Sequence, residues 1–137
     1  MKNLYELRNS VYGIYLSVYN NWKNTDRQYN GDEHILDEEN HFTFADDMVV
    51  YLTNPKTAEA EIDNYIKRML SRFCKKNKQA YYEMILSTMV MSNVFFELGY
   101  ENLSELCADW YSKLFYDEEF IYKYITEEEI SEMWRLR

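Results

Sequence analysis

Both histidines of the chain fall in one short acidic stretch, Asn30 to Phe42, which reads NGDEHILDEENHF. Wound as a helix, this stretch places His34, Asp37, Glu38 and His41 at i, i+3, i+4 and i+7, on one face. Imidazole and carboxylate together suit zinc, iron or manganese, and water bound to such an ion is a nucleophile. As a metal template the set is incomplete. Glu38 and His41 form a Glu-x-x-His, but a carboxylate-bridged site in a helical bundle draws that motif from two helices, and no further histidine exists to build a second. A solvated acidic connector, holding no metal and no cofactor, is therefore the favoured reading. A metal-binding protein or metal-dependent enzyme using His34, Asp37, Glu38 and His41 is the alternative.

The other catalytic templates are missing. No glycine-rich loop is available to cradle phosphate and no G-x-S-x-G occurs. Cys74 and Cys107 show neither CxxC spacing nor a nearby histidine, so the expectation is two buried, reduced thiols. Asp46 and Asp47, the run Asp117, Glu118 and Glu119, and the run Glu127, Glu128 and Glu129 could each supply an acid and a base. All stand at expected helix starts, where capping and the helix dipole already account for carboxylates. These counts favour a protein that is not an enzyme.

Charge is the stronger signal. The formal net charge is −9, and it is unevenly distributed. Residues 1–31 carry +2, residues 32–63 carry −9, residues 64–78 carry +6 and residues 79–137 carry −8. An acidic chain repels nucleic acid and anionic membrane within a Debye length of ~8 Å and attracts basic partners. The basic block, Lys67, Arg68, Arg72, Lys75, Lys76 and Lys78, is expected to pair with acidic faces of its own fold or of a second subunit. No apolar run reaches the ~20 residues of a membrane span, and charges interrupt the first ten residues where a secretion signal would be apolar. A cytoplasmic protein is expected. Residue usage rich in Tyr, Asn, Lys, Ile and Glu points to a low-GC bacterium or its phages and plasmids.

The elements that must position these groups read as helices throughout. With 3 glycines and 1 proline the chain lacks the turn residues of a sandwich or barrel. Leu4, Leu7, Val11, Ile14, Val18 and Trp22 recur at helical spacing, with Tyr5, Tyr12 and Tyr19 as a second stripe and Gly13 as a possible close crossing. Residues 43–53 read as a helix started by Thr43 and Asp46, with a strand over Met48–Thr53 left open. Asn54 and Pro55 open a helix whose apolar face is Ala58, Ile62, Tyr65, Ile66, Met69, Leu70 and Phe73 and whose end is marked by CKKNK. QAYYEMILSTMVMSNVFFELGY is apolar nearly all round, so it is expected at the centre, stopped by Gly99. Leu103, Leu106, Cys107, Trp110, Leu114 and Phe115 mark another helix. Asp117 and the pair Thr126 with Glu129 cap two short ones. No helix pair recurs at a fixed period, which argues against a solenoid.

The sum is an all-α, compact single-domain bundle of about six or seven helices spanning residues 1–137. Its function is expected to be non-enzymatic: a small acidic inhibitor or adaptor, of the nucleic-acid-mimic type that phages and mobile elements encode. The partner is a protein with a basic surface, one that itself binds nucleic acid, and this chain touches neither nucleic acid nor membrane directly. The contact residues expected are Asp32, Glu33, Asp37, Glu38, Glu39, Asp46, Asp47, Asp117, Glu118, Glu119, Tyr122, Glu127, Glu128, Glu129 and Trp134. A homodimer packed through tyrosine-rich faces is the second alternative, since Tyr is enriched at interfaces.

Overall fold

The computed structural model describes residues 4–23 and 47–134, and within them the fold is all-α, with no strand. Helix α1 spans Leu4–Lys23. Leu7 and Val11 are buried as their spacing requires, and so is Tyr15, one more step of four along the same stripe. Tyr5, expected on a second apolar stripe, is instead 72% exposed. Gly13 is not a close crossing either: a Cβ built there meets nothing within 4 Å.

Residues 47–51 are helical, and Met48, Val49 and Leu52 are buried while Val50 is exposed. Burial at i, i+1 and i+4 is the signature of a helix face, so the strand alternative is excluded. Helix α2, Pro55–Met69, starts with proline in its first turn. Asn54 holds the N-cap place but its side chain makes no capping bond; its carbonyl accepts the Thr57 N–H at 3.2 Å.

The chain then widens into a π turn, Leu70–Cys74. This turn corrects the expected apolar face. An i→i+5 turn carries more residues than an α turn, so the inward stripe advances from Leu70 to Cys74 and Phe73 swings out to 55% exposure. Lys78, expected to end this helix, instead begins the next.

Helix α3, Lys78–Glu97, is capped by the Asn77 side chain, which accepts the Ala80 N–H at 3.1 Å. It is the centre of the molecule: Tyr81, Val90, Met91, Val94 and Phe95 are each fully buried, as is Thr88, whose hydroxyl donates to the Ile85 carbonyl at 2.8 Å. Burying a large apolar side chain stabilises by roughly 1.5–3 kcal/mol, which makes this helix the main source of cohesion. Gly99, with φ +87°, ends it. Gly99 N–H donates to Phe96 C=O at 3.0 Å and Tyr100 N–H to Phe95 C=O at 2.8 Å, the paired bonds of a Schellman motif, and the Phe95 and Tyr100 rings meet edge to face.

Helix α4, Glu101–Tyr116, turns back along α3 and buries Leu103, Cys107, Trp110, Leu114 and Phe115. The two helices approach closely at Ser92 and Ser104, where each hydroxyl donates to the other residue's carbonyl, at 2.9 and 2.7 Å. Two short helices follow, α5 over Glu118–Ile121 and α6 over Glu127–Trp134. Ile121, Ile125 and Ile130 pin this tail to the core.

Three buried tyrosines reinforce the packing. Tyr65 donates to Asp47 at 2.7 Å, Tyr82 to the Glu129 carbonyl at 2.8 Å, and Tyr81 to the Leu114 carbonyl. Each bond ties one element to another.

Candidate functional site

The acidic residues expected at the contact surface that lie within the described structure sort into two kinds. Some are committed to the fold. Asp47 accepts the Tyr65 hydroxyl, and the Tyr65 phenol is pushed up by burial and then by that bond. Asp117 caps α5 by accepting the Phe120 N–H at 3.3 Å. Thr126 and Glu129 form the expected reciprocal box: Thr126 N–H donates to Glu129 at 2.9 Å and Glu129 N–H donates to the Thr126 hydroxyl at 3.3 Å.

The others face solvent. Glu118 and Glu119 open α5, Glu127 and Glu128 open α6, and all four are exposed, with no ion pair among the described residues. Between the two pairs stands Tyr122, 51% exposed, in the turn that links the helices. The capping bonds of Asp117, Thr126 and Glu129 fix where these helices start and so where the four carboxylates project. Trp134 is the last residue of α6. Asp32, Glu33, His34, Asp37, Glu38, Glu39, His41 and Asp46 lie outside the described residues. Among the described residues no cluster of His, Cys, Asp and Glu is arranged to hold a metal ion.

Spacing alone could have shown one further feature. Glu101, Glu105 and Asp109, at i, i+4 and i+8, are all exposed on the outer face of α4. At 1.5 Å rise per residue they form a ladder of carboxylates roughly 6 Å apart.

A second feature had no signal in the sequence, because it joins residues 47 positions apart. The Trp110 indole N–H donates to Asp63 at 2.8 Å, and Asp63 also pairs with Lys67 at 2.8 Å. Burial is the largest single influence on the Asp63 carboxyl and works upward, but the bonds from Lys67 and Trp110 and the charges of Lys67 and Lys113 together hold it below its ordinary 3.8. The Lys113 ammonium sits 5.6 Å from the centre of the Trp110 ring and 4.9 Å from that of Phe120, and Lys123 lies 5.5 Å from Phe120. These are cation–π distances. They draw α2, α4 and α5 together around a half-buried aromatic cluster.

The thiols offer no nucleophile here. Cys74 and Cys107 are free and buried, and burial pushes each up to about 12. A thiol that stays protonated is inert, since the thiolate is the reactive form. No described helix is long and apolar enough to cross a membrane. Compared with known proteins, the chain matches no family model, no curated protein and no solved structure.

Proposed function

We propose that this chain is a non-enzymatic interaction protein, a small acidic inhibitor or adaptor that occupies the basic, nucleic-acid-binding surface of a partner protein in the cytoplasm. It is of the kind that phages and mobile elements encode. One observation carries the reading: Glu118, Glu119, Glu127 and Glu128 are exposed and unpaired among the described residues, on helix starts fixed by their own caps, beside the exposed ring of Tyr122. Fixed carboxylates around an aromatic group present what a basic groove meets in nucleic acid: regularly placed negative charge and a flat ring. The Glu101, Glu105 and Asp109 ladder adds a second row of the same sign.

The test is capture of host proteins on the immobilised chain, compared with a Glu118→Lys/Glu119→Lys/Glu127→Lys/Glu128→Lys variant that melts like the parent. A partner held by the parent, lost by the variant and released between ~0.1 and ~0.5 M salt is expected, because screening lengths fall across that range. A partner held equally by both chains and at both salts defeats the proposal.

A further inference from the structure

The basic block of the sequence is larger in space than along the chain. Arg68 lies 6.0 Å from the Tyr65 ring and donates to the Tyr51 hydroxyl at 3.4 Å. Beyond it Arg72, Lys75 and Lys76 are exposed at the end of the π turn, beside the exposed ring of Phe73. Lys76 is held in the left-handed region, at φ 55°, and its N–H donates to the Tyr124 carbonyl at 2.9 Å. That bond brings the π turn against the α5 to α6 turn, where Lys123 is the next residue. Lys123 and Lys113 share Phe120, and Lys113 leads back through Trp110 and Asp63 to Lys67. Two lysines that belong by sequence to the acidic C-terminal block thus join the basic block in one band.

Lys67 pairs with Asp63, whereas Arg72, Lys75, Lys76, Lys113 and Lys123 have no ion-pair partner among the described residues. The acidic side begins at once. Glu118 and Glu119 stand on the same four-residue helix as Phe120, so the border between the two charge fields runs through α5. Opposite charges lie next to one another on the surface and neither side is neutralised by the other. A surface of that form is self-complementary under a two-fold rotation, which sets the basic half of one copy on the acidic half of the other, twice.

We infer that the band of Arg72, Lys75, Lys76, Lys113 and Lys123 binds the acidic α5 to α6 edge of a second copy of this chain, giving a reciprocal, salt-sensitive dimer. The inference invokes no host partner, but it places a second copy on the same carboxylates as the function proposed above, so the two occupants compete; sedimentation of the purified chain reads the dimer alone, and capture of host proteins reads the other.

The experiment is sedimentation equilibrium on the purified full-length chain, at ~0.05 and ~0.5 M salt, two conditions that differ about threefold in screening length. The parent is expected to be dimeric at low salt and monomeric at high salt. Two charge-reversed variants, Arg72→Glu/Lys75→Glu and Glu118→Lys/Glu119→Lys, are each expected to be monomeric alone at low salt, and dimeric when mixed in equal amounts. Lys56→Glu, an exposed change in the first turn of α2 that adds half the negative charge of Arg72→Glu/Lys75→Glu, controls for the direction of the net-charge change and is expected to leave the dimer intact. Melting curves verify that each variant folds, and recovery of the dimer on mixing is a signal that misfolding cannot mimic. A parent that is monomeric at low salt overturns the inference, and so does a dimer indifferent to salt, or a mixture that stays monomeric. A monomer that instead retards a single-stranded oligonucleotide assigns the band to nucleic acid and overturns it equally.

Discussion

At the scale of single residues, Asp63 is where the fold concentrates unlike partners: an indole donor, a lysine in ion pair and a second lysine across the Trp110 ring. Trp110→Phe removes the N–H together with one ring of the buried indole, leaving the carboxylate to Lys67 and water. A loss of about 2–3 kcal/mol in urea unfolding is expected, the net worth of a bond to a charged acceptor with the packing lost from the smaller ring added to it. The acid limb of stability follows from the same group. Because the folded carboxyl lies below its ordinary 3.8, Asp63 stabilises the fold above that pH, and the contribution drains away as pH falls through the folded value. The stability gap between parent and Asp63→Asn is therefore expected to be widest near neutrality and to close in strong acid, as followed by thermal melting. The Lys67 pair is a step of four along one helix and is a local spacing, but the Trp110 bond was not legible in the sequence, since no local rule pairs Asp63 with Trp110. The cap at Asp117 and the box at Thr126 and Glu129 were legible, because a cap is a contact between residues three apart.

At the scale of elements, the two described glycines have opposite roles. Gly99 sits at φ +87°, where a side chain is strained, while Gly13 lies in mid-helix with open space beside it. Gly99→Ala is expected to cost about 1–2 kcal/mol, and Gly13→Ala to add about 1 kcal/mol, both read from denaturant midpoints. The helices themselves were visible in the spacing of Leu7 and Val11, of Ala58, Ile62 and Ile66, and of Leu103, Cys107, Trp110 and Leu114, because burial on one side of a helix imposes that period. Phe73 broke the rule. Its position follows from a π turn, whose extra residue leaves no mark in composition, so a strict period placed it on the inner face when it is on the outer.

At the scale of the whole molecule, the sequence displayed charge as blocks along a line, and folding redistributed it. Lys113 and Lys123, which fall along the chain within the acidic block 79–137, are neighbours of the basic one, because the Lys76 to Tyr124 bond joins places 48 residues apart. The carboxylate-bearing helices α5 and α6 hang from that bond, from Tyr82 and from three isoleucines. The single amide of Lys76 consequently works as a clock for the tail. It lies outside any helix and has its carbonyl partner on the far side of a docking contact, so deuterium can replace its proton only when the last two helices lift away or the whole chain opens. In exchange followed by NMR, its protection should equal that of the α3 amides if the tail and the core open as one unit. Protection that is lower, and shared with the Ile125 and Ile130 amides, would identify a tail that opens on its own and carries the acidic surface with it.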